Sequence, residues 1–302
     1  MFVTDFEYAE KRLSDFGYVM CHINTESGLR DVDIGCDITF NTVKNNHSSV
    51  QYITSSSYDN VYSMSFDIIK SKCDRDRDDI YLTSEEVRRL ITWLNRREYR
   101  KLKLINATNA DMSINYYGSF NVKQIMMGDN IIGLSLTFTS NAPYGFADEI
   151  SMVFTFFNKK CNDCGECGDF DEKCSICEST NLEYIRNEHF YLSGDGDEIG
   201  IIYPKVTITF KQDCENFSIL NVTTGTTLFL KNCLKDETIT IDGEHKIILT
   251  NTPEHNTLYN DFNYEYLDIQ VADDDFSENM YEVSAPCLIT IEYSPIRKVG
   301  VL

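Results

Sequence analysis

The chain has 302 residues, with 48 acidic side chains against 27 basic ones and a formal net charge of −21. That balance excludes a broadly basic nucleic-acid surface, while 12% aromatic residues and only 5 prolines exclude general disorder. The length allows two domains with separate cores, and no apolar run approaches the length of a membrane-spanning helix.

The first residues, MFVTDFEYAEKRL, lack the basic region and apolar core of a signal peptide. The expectation is a product that stays in the cytoplasm of the cell that makes it, with no membrane insertion. Its 11 cysteines then read as free thiols or metal ligands rather than as a disulfide framework. Up to about residue 61 the apolar pieces are short, at 18–23, 32–40 and 50–53, and Asn, Ser, Gly and Asp separate them, which predicts strands joined by polar turns. Tyr62, Met64, Phe66 and Ile68 share one side of a half-buried strand. The charged stretch CDRDRDD at 73–79 reads as a loop leading into the one strongly helical segment.

In that segment Thr83 can cap the first turn, with Glu86 at capping-box spacing. Val87, Leu90, Ile91 and Leu94 recur on one face, Trp93 widens the stripe, and Arg88, Arg89, Arg96 and Arg97 fill much of the rest, so a helix ending near Arg97 is predicted to lie against sheet. The basic group from Arg88 to Lys103 reads as a solvated face or a protein contact. Strands follow at 101–105, 113–122 and 131–138, until Asn141-Ala-Pro-Tyr144 breaks the pattern. Residues 1–148 are thus expected as a β-rich domain with one packed helix.

A connector is expected over 149–200, in which an apolar strand at 150–157 leads into a segment, 160–179, that is dominated by cysteine, glycine and acid and cannot make a hydrophobic core. From residue 183 onward closely spaced strand candidates return, beginning at 190–192, and with Asp242-Gly243 as a hairpin turn they predict an all-β sandwich or barrel, its domain expected over 201–302. The fold class expected is mainly β, with a cysteine-rich metal-binding loop between the halves.

Cys161, Cys164, Cys167, Cys174 and Cys177 give C-x2-C-x2-C-x6-C-x2-C. Two CxxC pairs make a closed tetrahedral site, and structural zinc is the expected ion. Cys161, Cys164, Cys174 and Cys177 are the candidate ligands, with Cys167 as a substitute, since Cys164 with Cys167 is an equally legal first pair. An iron–sulfur cluster is the alternative, although the fourth cysteine is not at the short ferredoxin spacing and no proline follows. Thiolates near Asp163, Glu166, Asp169, Asp171 and Glu172 would repel one another without a cation. Cys21, Cys36, Cys73, Cys214, Cys233 and Cys287 are isolated and read as small buried hydrophobes.

His22, His47, His189, His245 and His255 show no metalloprotease spacing, and the chain has no nucleophile elbow, phosphate-binding loop or HExxH. No enzymatic activity is expected. Asp242, Glu244, Asp261 and Glu265 are the conceivable carboxylates of a cell-wall hydrolase, and Asp273 to Asp275 read as a solvated turn rather than a calcium loop. Tyr259, Phe262, Tyr264 and Tyr266 would be the sugar platforms of a carbohydrate-binding protein, the main alternative function, but Tyr264 and Tyr266 share strand phase as core residues do.

The order of several pieces resembles the distal tail protein family of bacteriophages, the siphophage component that links tail tube to baseplate. The pieces are RLSDFGY at 12–18, FDIIK at 66–70, SEEVRRLITWLNRREYRKLKL at 84–104, YYGSF at 116–120 and IIGLSLTFTSNAPYGF at 131–146. In the second half they are YPKVTITF at 203–210, ETITIDGEHKIIL at 237–249, DFNYEYLDI at 261–269 and IEYSPIRKVGV at 291–301. The resemblance implies an N-terminal domain that carries a protruding hairpin and assembles as a homo-hexameric ring around the tail bore. It implies an outward-facing galectin-like C-terminal sandwich and, as partners, the tail tube protein, a tail-tip hub protein and receptor-binding or accessory baseplate proteins. DNA would pass only in transit. The protein would be made in the host bacterial cytoplasm and reside in the virion tail. The cysteine segment is an addition to that pattern.

Overall fold

The computed structural model describes residues 3–21, 35–44, 50–71, 80–106, 114–168, 172–185, 188–272 and 278–298. The expected charged loop 73–79 with Cys73, and also His22, His47, Asp169, Asp171 and Asp273 to Asp275, lie outside them. The chain divides into two compact units, Met1–Asp148 with Ile296–Leu302, and Glu149–Pro295. No helix among the described residues is long and apolar enough to cross a membrane.

Unit 1 begins with β1 (Val3–Tyr8), β2 (Lys11–Arg12), β3 (Tyr18–Cys21), β4 (Ile38–Lys44), β5 (Gln51–Tyr58) and β6 (Ser63–Lys70). Helix α1 (Ser84–Leu94), β7 (Arg100–Asn106), β8 (Asn115–Met127), β9 (Asn130–Ser140) and β10 (Gly145–Phe146) follow. One antiparallel sheet runs β2-β1-β7-β8-β9-β6-β3, with β10 against β8. Period-two alternation sets its register: Met64, Phe66 and Ile68 pair with Phe138, Leu136 and Leu134, and all six are buried. Phe6 lies at the centre of this core, 5.5 Å from Phe66 and 5.8 Å from Trp93 between ring centroids.

The capping box forms as the sequence predicts. The Glu86 amide donates to Thr83 Oγ1 at 3.2 Å, and the Thr83 amide donates to Glu86 Oε2 at 2.8 Å. Val87, Leu90, Trp93 and Leu94 are buried, but Ile91, expected in the same stripe, is 39% exposed. The helix ends at Leu94 rather than near Arg97, because the Asn95 side chain donates to the Phe120 carbonyl at 2.9 Å and holds the chain in an extended conformation. Thr83→Ala should cost about 1 kcal/mol, read as a lower denaturant midpoint with an unchanged slope.

Gly118 supplies a larger effect. A Cβ there would stand 2.2 Å from the Thr139 carbonyl oxygen and 2.5 Å from the Phe138 ring. Gly118→Ala is expected to destabilise unit 1 by about 1–3 kcal/mol through overpacking, which urea unfolding would measure.

Among the described residues, strands β4 and β5 pair with each other and with no other strand. Their residues are exposed on both faces, Tyr58 alone being half-buried, and they include Phe40, Val43, Tyr52 and Ile53. This apolar ribbon has no covering layer among the described residues.

Unit 2 contains β11 (Ile150–Thr155), β12 (Lys159–Cys161), β13 (Cys167–Gly168), β14 (Leu182–Tyr184), β15 (Glu188–Ser193), β16 (Gly200–Ile202), β17 (Lys205–Phe210) and β18 (Cys214–Asn221). It continues with β19 (Thr227–Cys233), β20 (Thr238–Asp242), β21 (Ile247–Thr250), the helical turn α2 (Leu258–Asp261), β22 (Ile269–Val271), β23 (Glu278–Val283) and β24 (Cys287–Tyr293). The antiparallel sheets β11-β24-β17-β20-β21 and β15-β23-β18-β19 enclose one core, in which Ile208, Ile239 and Ile289 meet Phe217, Leu230 and Tyr281.

Beyond Asp148 the two units differ from the expected limits. Strands β11 and β15, expected in a connector at 149–200, form an edge of each sheet by pairing with β24 and β23. The final strand, β25 (Ile296–Arg297), expected in the second domain, pairs with β10 in unit 1. Asp242-Gly243 does not make a two-residue hairpin either. Asp242 accepts the His245 amide at 2.9 Å across a longer turn, and Lys246 takes a left-handed φ of 58° before β21 begins.

Candidate metal centre

Strands β13-β12-β14 form a small sheet around the cysteine segment. Among the described residues of this segment the buried apolar ones are Cys161 and Cys174, with Leu182 packed beside them, so hydrophobic burial contributes little. Local backbone hydrogen bonding builds it instead. In the first CxxC the Cys161 amide donates to the Glu166 carbonyl at 2.7 Å and the Gly165 amide donates to the Cys161 carbonyl at 2.8 Å. In the second the Cys174 amide donates to Ser179 at 2.8 Å and the Glu178 amide donates to Cys174 at 2.9 Å. The two pairs therefore adopt the same knuckle, each closed by a left-handed residue, Gly165 at φ 80° and Glu178 at φ 57°.

The sulfurs of Cys161, Cys164, Cys174 and Cys177 all lie within 4.8 Å of one another. Across the knuckles, Cys161 and Cys177 are 3.5 Å apart, as are Cys164 and Cys174. Metal–sulfur bonds of about 2.3 Å in a tetrahedron place the sulfurs about 3.8 Å apart, so this compact four-cysteine cluster can coordinate one ion. Cys167 is outside it. Its thiol is exposed and turned toward the Gly165 carbonyl at 3.8 Å.

The electrostatics also favour a cation. The Cys164 amide, against the effect of burial and with help from the Asp163 amide, lowers the Cys161 thiol to about 7. At Cys164 the Glu166 amide also lowers, but the neighbouring Cys177 sulfur and burial outweigh it, and that thiol rises to about 12. One thiolate thus forms readily, and further ionisation awaits a positive charge. Asp163, expected to add repulsion, accepts hydrogen bonds from Ser179 and Asn181 that lower its carboxyl and tie the first knuckle to the chain after the second.

The candidate carboxylates are not gathered into one site, whereas the candidate aromatics form a cluster in which the Phe262 ring lies 5.4 Å from that of Tyr264 and 5.3 Å from that of Tyr266 between centroids. Asp242 binds His245 Nδ1 at 2.9 Å, Phe262 is buried in the unit 2 core, and Tyr266 is engaged by Lys246 Nζ, which sits 4.1 Å from its ring centroid and 3.7 Å from that of Tyr203. Tyr259 and Tyr264 are exposed and joined by a hydrogen bond from the Tyr264 hydroxyl to the Tyr259 carbonyl at 2.8 Å.

One arrangement was not visible in the sequence. Buried Glu237 and His255 line up with half-buried Asp261, His255 Nδ1 standing 2.8 Å from Glu237 Oε1 and Nε2 3.4 Å from Asp261 Oδ2. Glu237 also accepts from the Thr250 hydroxyl at 2.6 Å and the Leu234 amide at 2.8 Å. These residues come from separate elements, so no local spacing could have signalled them.

Residues 1–142 match a family model described as "Phage tail protein N-terminal domain", and residues 175–293 match its counterpart, "Phage tail C-terminal domain". The chain belongs to this phage tail protein family. Residues 143–174, with Cys161, Cys164, Cys167 and Cys174, fall in neither match, so the phage tail protein carries most of its cysteine module between the two regions. Among solved structures, the crystal structure of phage SPP1 Dit (gp 19.1), described as a paradigm of the hub adsorption apparatus in Gram-positive infecting phages, is similar. It is 12% identical at a TM-score of 0.59, over 97% of this chain and 99% of that one. The phage P2 baseplate in its activated conformation with Ca gives 9% identity and a TM-score of 0.47, over 96% and 98%. No curated protein matches the sequence significantly.

Proposed function

We propose that six copies of this phage tail protein close into a ring that joins the tail tube to the baseplate or tail tip and continues the DNA channel. Unit 2, read as a galectin-like sandwich facing outward, would hold the tip hub and receptor-binding or accessory baseplate proteins. The role is structural, without catalysis. The observation that carries the reading is the pair of tail-protein family matches, in order along one chain. The β4–β5 ribbon supports it, since apolar residues exposed on both faces need a neighbour to cover them, and closed symmetry supplies one without open-ended growth.

Cys161, Cys164, Cys174 and Cys177 would hold one zinc ion as a structural staple, Cys167 remaining free. Four thiolate donors in a closed tetrahedral set suit zinc, and a module with almost no apolar core has little else to order it. Negative-stain electron microscopy tests the ring: the purified chain should show sixfold rings, and Phe40→Ser/Ile53→Ser should leave folded single subunits. Rings unchanged in that variant would remove the ribbon from the contact, and no rings from the unaltered chain at any concentration would overturn the reading.

A further inference from the structure

Many of this chain's cations are paired within it: Arg12 with Asp5, Lys70 with Glu86, Arg100 with Glu98, and Lys205 with Glu292. A groove of about 410 Å³ beside α1 departs from that pattern. Its floor is Phe16 stacked on Trp93, ring centroids 4.7 Å apart, and its rim carries Lys11, Arg88, Arg89 and Arg96. Arg89 is neutralised by Glu85 at 2.6 Å, whereas Lys11, Arg88 and Arg96 form no ion pair among the described residues. Three uncompensated cations around an aromatic floor, in a chain with a net charge of −21, indicate that the complement lies outside the chain.

We propose that this groove seats an extended acidic segment of a partner protein, with one apolar side chain between two carboxylates. The spacing sets the pattern. From Arg88 to Leu94 the helix rises about 9 Å, and Arg96 follows two residues past its end, where its Nε donates to the Trp93 carbonyl at 3.0 Å. In an extended chain, side chains i, i+2 and i+4 point the same way and i to i+4 covers about 13 Å. Carboxylates at i and i+4 then meet the two arginines, and an aromatic side chain at i+2 covers Phe16. A nucleic acid fits less well, because its continuous phosphate charge meets the field of a strongly acidic chain while the groove offers only three cations.

Trp93 is the only tryptophan, so its fluorescence reports on the groove directly. The blocked peptide Asp-Ser-Phe-Ser-Asp, titrated into the full chain, should give a saturable change that weakens several-fold as salt rises from about 50 to 300 mM. In Lys11→Glu/Arg88→Glu, whose exposed side chains carry no structural hydrogen bond, binding should fall roughly tenfold or more. Circular dichroism would confirm that this variant is folded, and Phe16→Ser should weaken binding without altering the salt dependence. No saturable change, an equal response to Lys-Ser-Phe-Ser-Lys, undiminished binding by the charge-reversed variant, or tighter binding of a short oligothymidylate would each overturn the proposal.

Discussion

Cys161→Ser should abolish stoichiometric metal binding and release the segment from Lys159 to Tyr184 into rapid amide exchange. Cys161 is fully buried between the knuckles, and its amide, carbonyl and sulfur all take part in closing them. The three-stranded sheet around it has almost no apolar core, so metal binding would supply most of its folding free energy. Structural zinc sites provide roughly 10–16 kcal/mol, and replacing one ligand by a neutral hydroxyl forfeits much of that. The unit 2 core is built from other residues and should stay protected. Cys167→Ser, which alters a thiol outside the cluster, should leave zinc content and exchange unchanged. Elemental analysis with hydrogen exchange of the two variants checks both expectations.

The second large effect is expected in unit 2. His255→Ala leaves the Glu237 carboxylate fully buried without its imidazole partner and opens a hole in the packing. Leaving a buried hydrogen-bonding group without its partner costs about 1–3 kcal/mol and the cavity adds to that, which for a unit of this size lowers Tm by several degrees. Glu237→Gln keeps a hydrogen-bonding side chain of the same size beside His255, and should cost less. Calorimetry of the two variants ranks them. Acid should weaken the same region. The Thr257 hydroxyl, against partial burial and together with Asn232 and His255, holds the Asp261 carboxyl below its usual range. Its contribution is therefore complete above the ordinary carboxylate pKa and is lost as pH falls through the lowered value.

These two sites show unequally what a sequence exposes. The helix was legible because Thr83, Glu86 and the apolar repeat are local signals that agree. Its stripe was not fully legible, since Ile91 and Trp93 stand on opposite sides of Leu90 and Leu94. Trp93 turns inward where its Nε1 donates to the Tyr8 carbonyl at 2.9 Å, a partner 85 residues away. The unit limits were missed for a related reason. Residues 150–155 and 188–193 read as strands, but because they flank the cysteine module they group with the connector, whereas their pairing partners lie at 278–293.

The cysteine spacing left two first pairs open. Folding brings Cys161 and Cys164 to the other two sulfurs, because Gly165 takes the left-handed turn that closes their knuckle and directs Cys167 away. The Glu237–His255–Asp261 chain gave no signal, being assembled wholly by tertiary contact.

Native mass spectrometry of the purified chain tests the central claim most directly, because it counts subunits and bound ions in one measurement. The account predicts a particle of six chains carrying six zinc ions. A monomer at all concentrations, or a hexamer free of metal when purified without chelator, would contradict it.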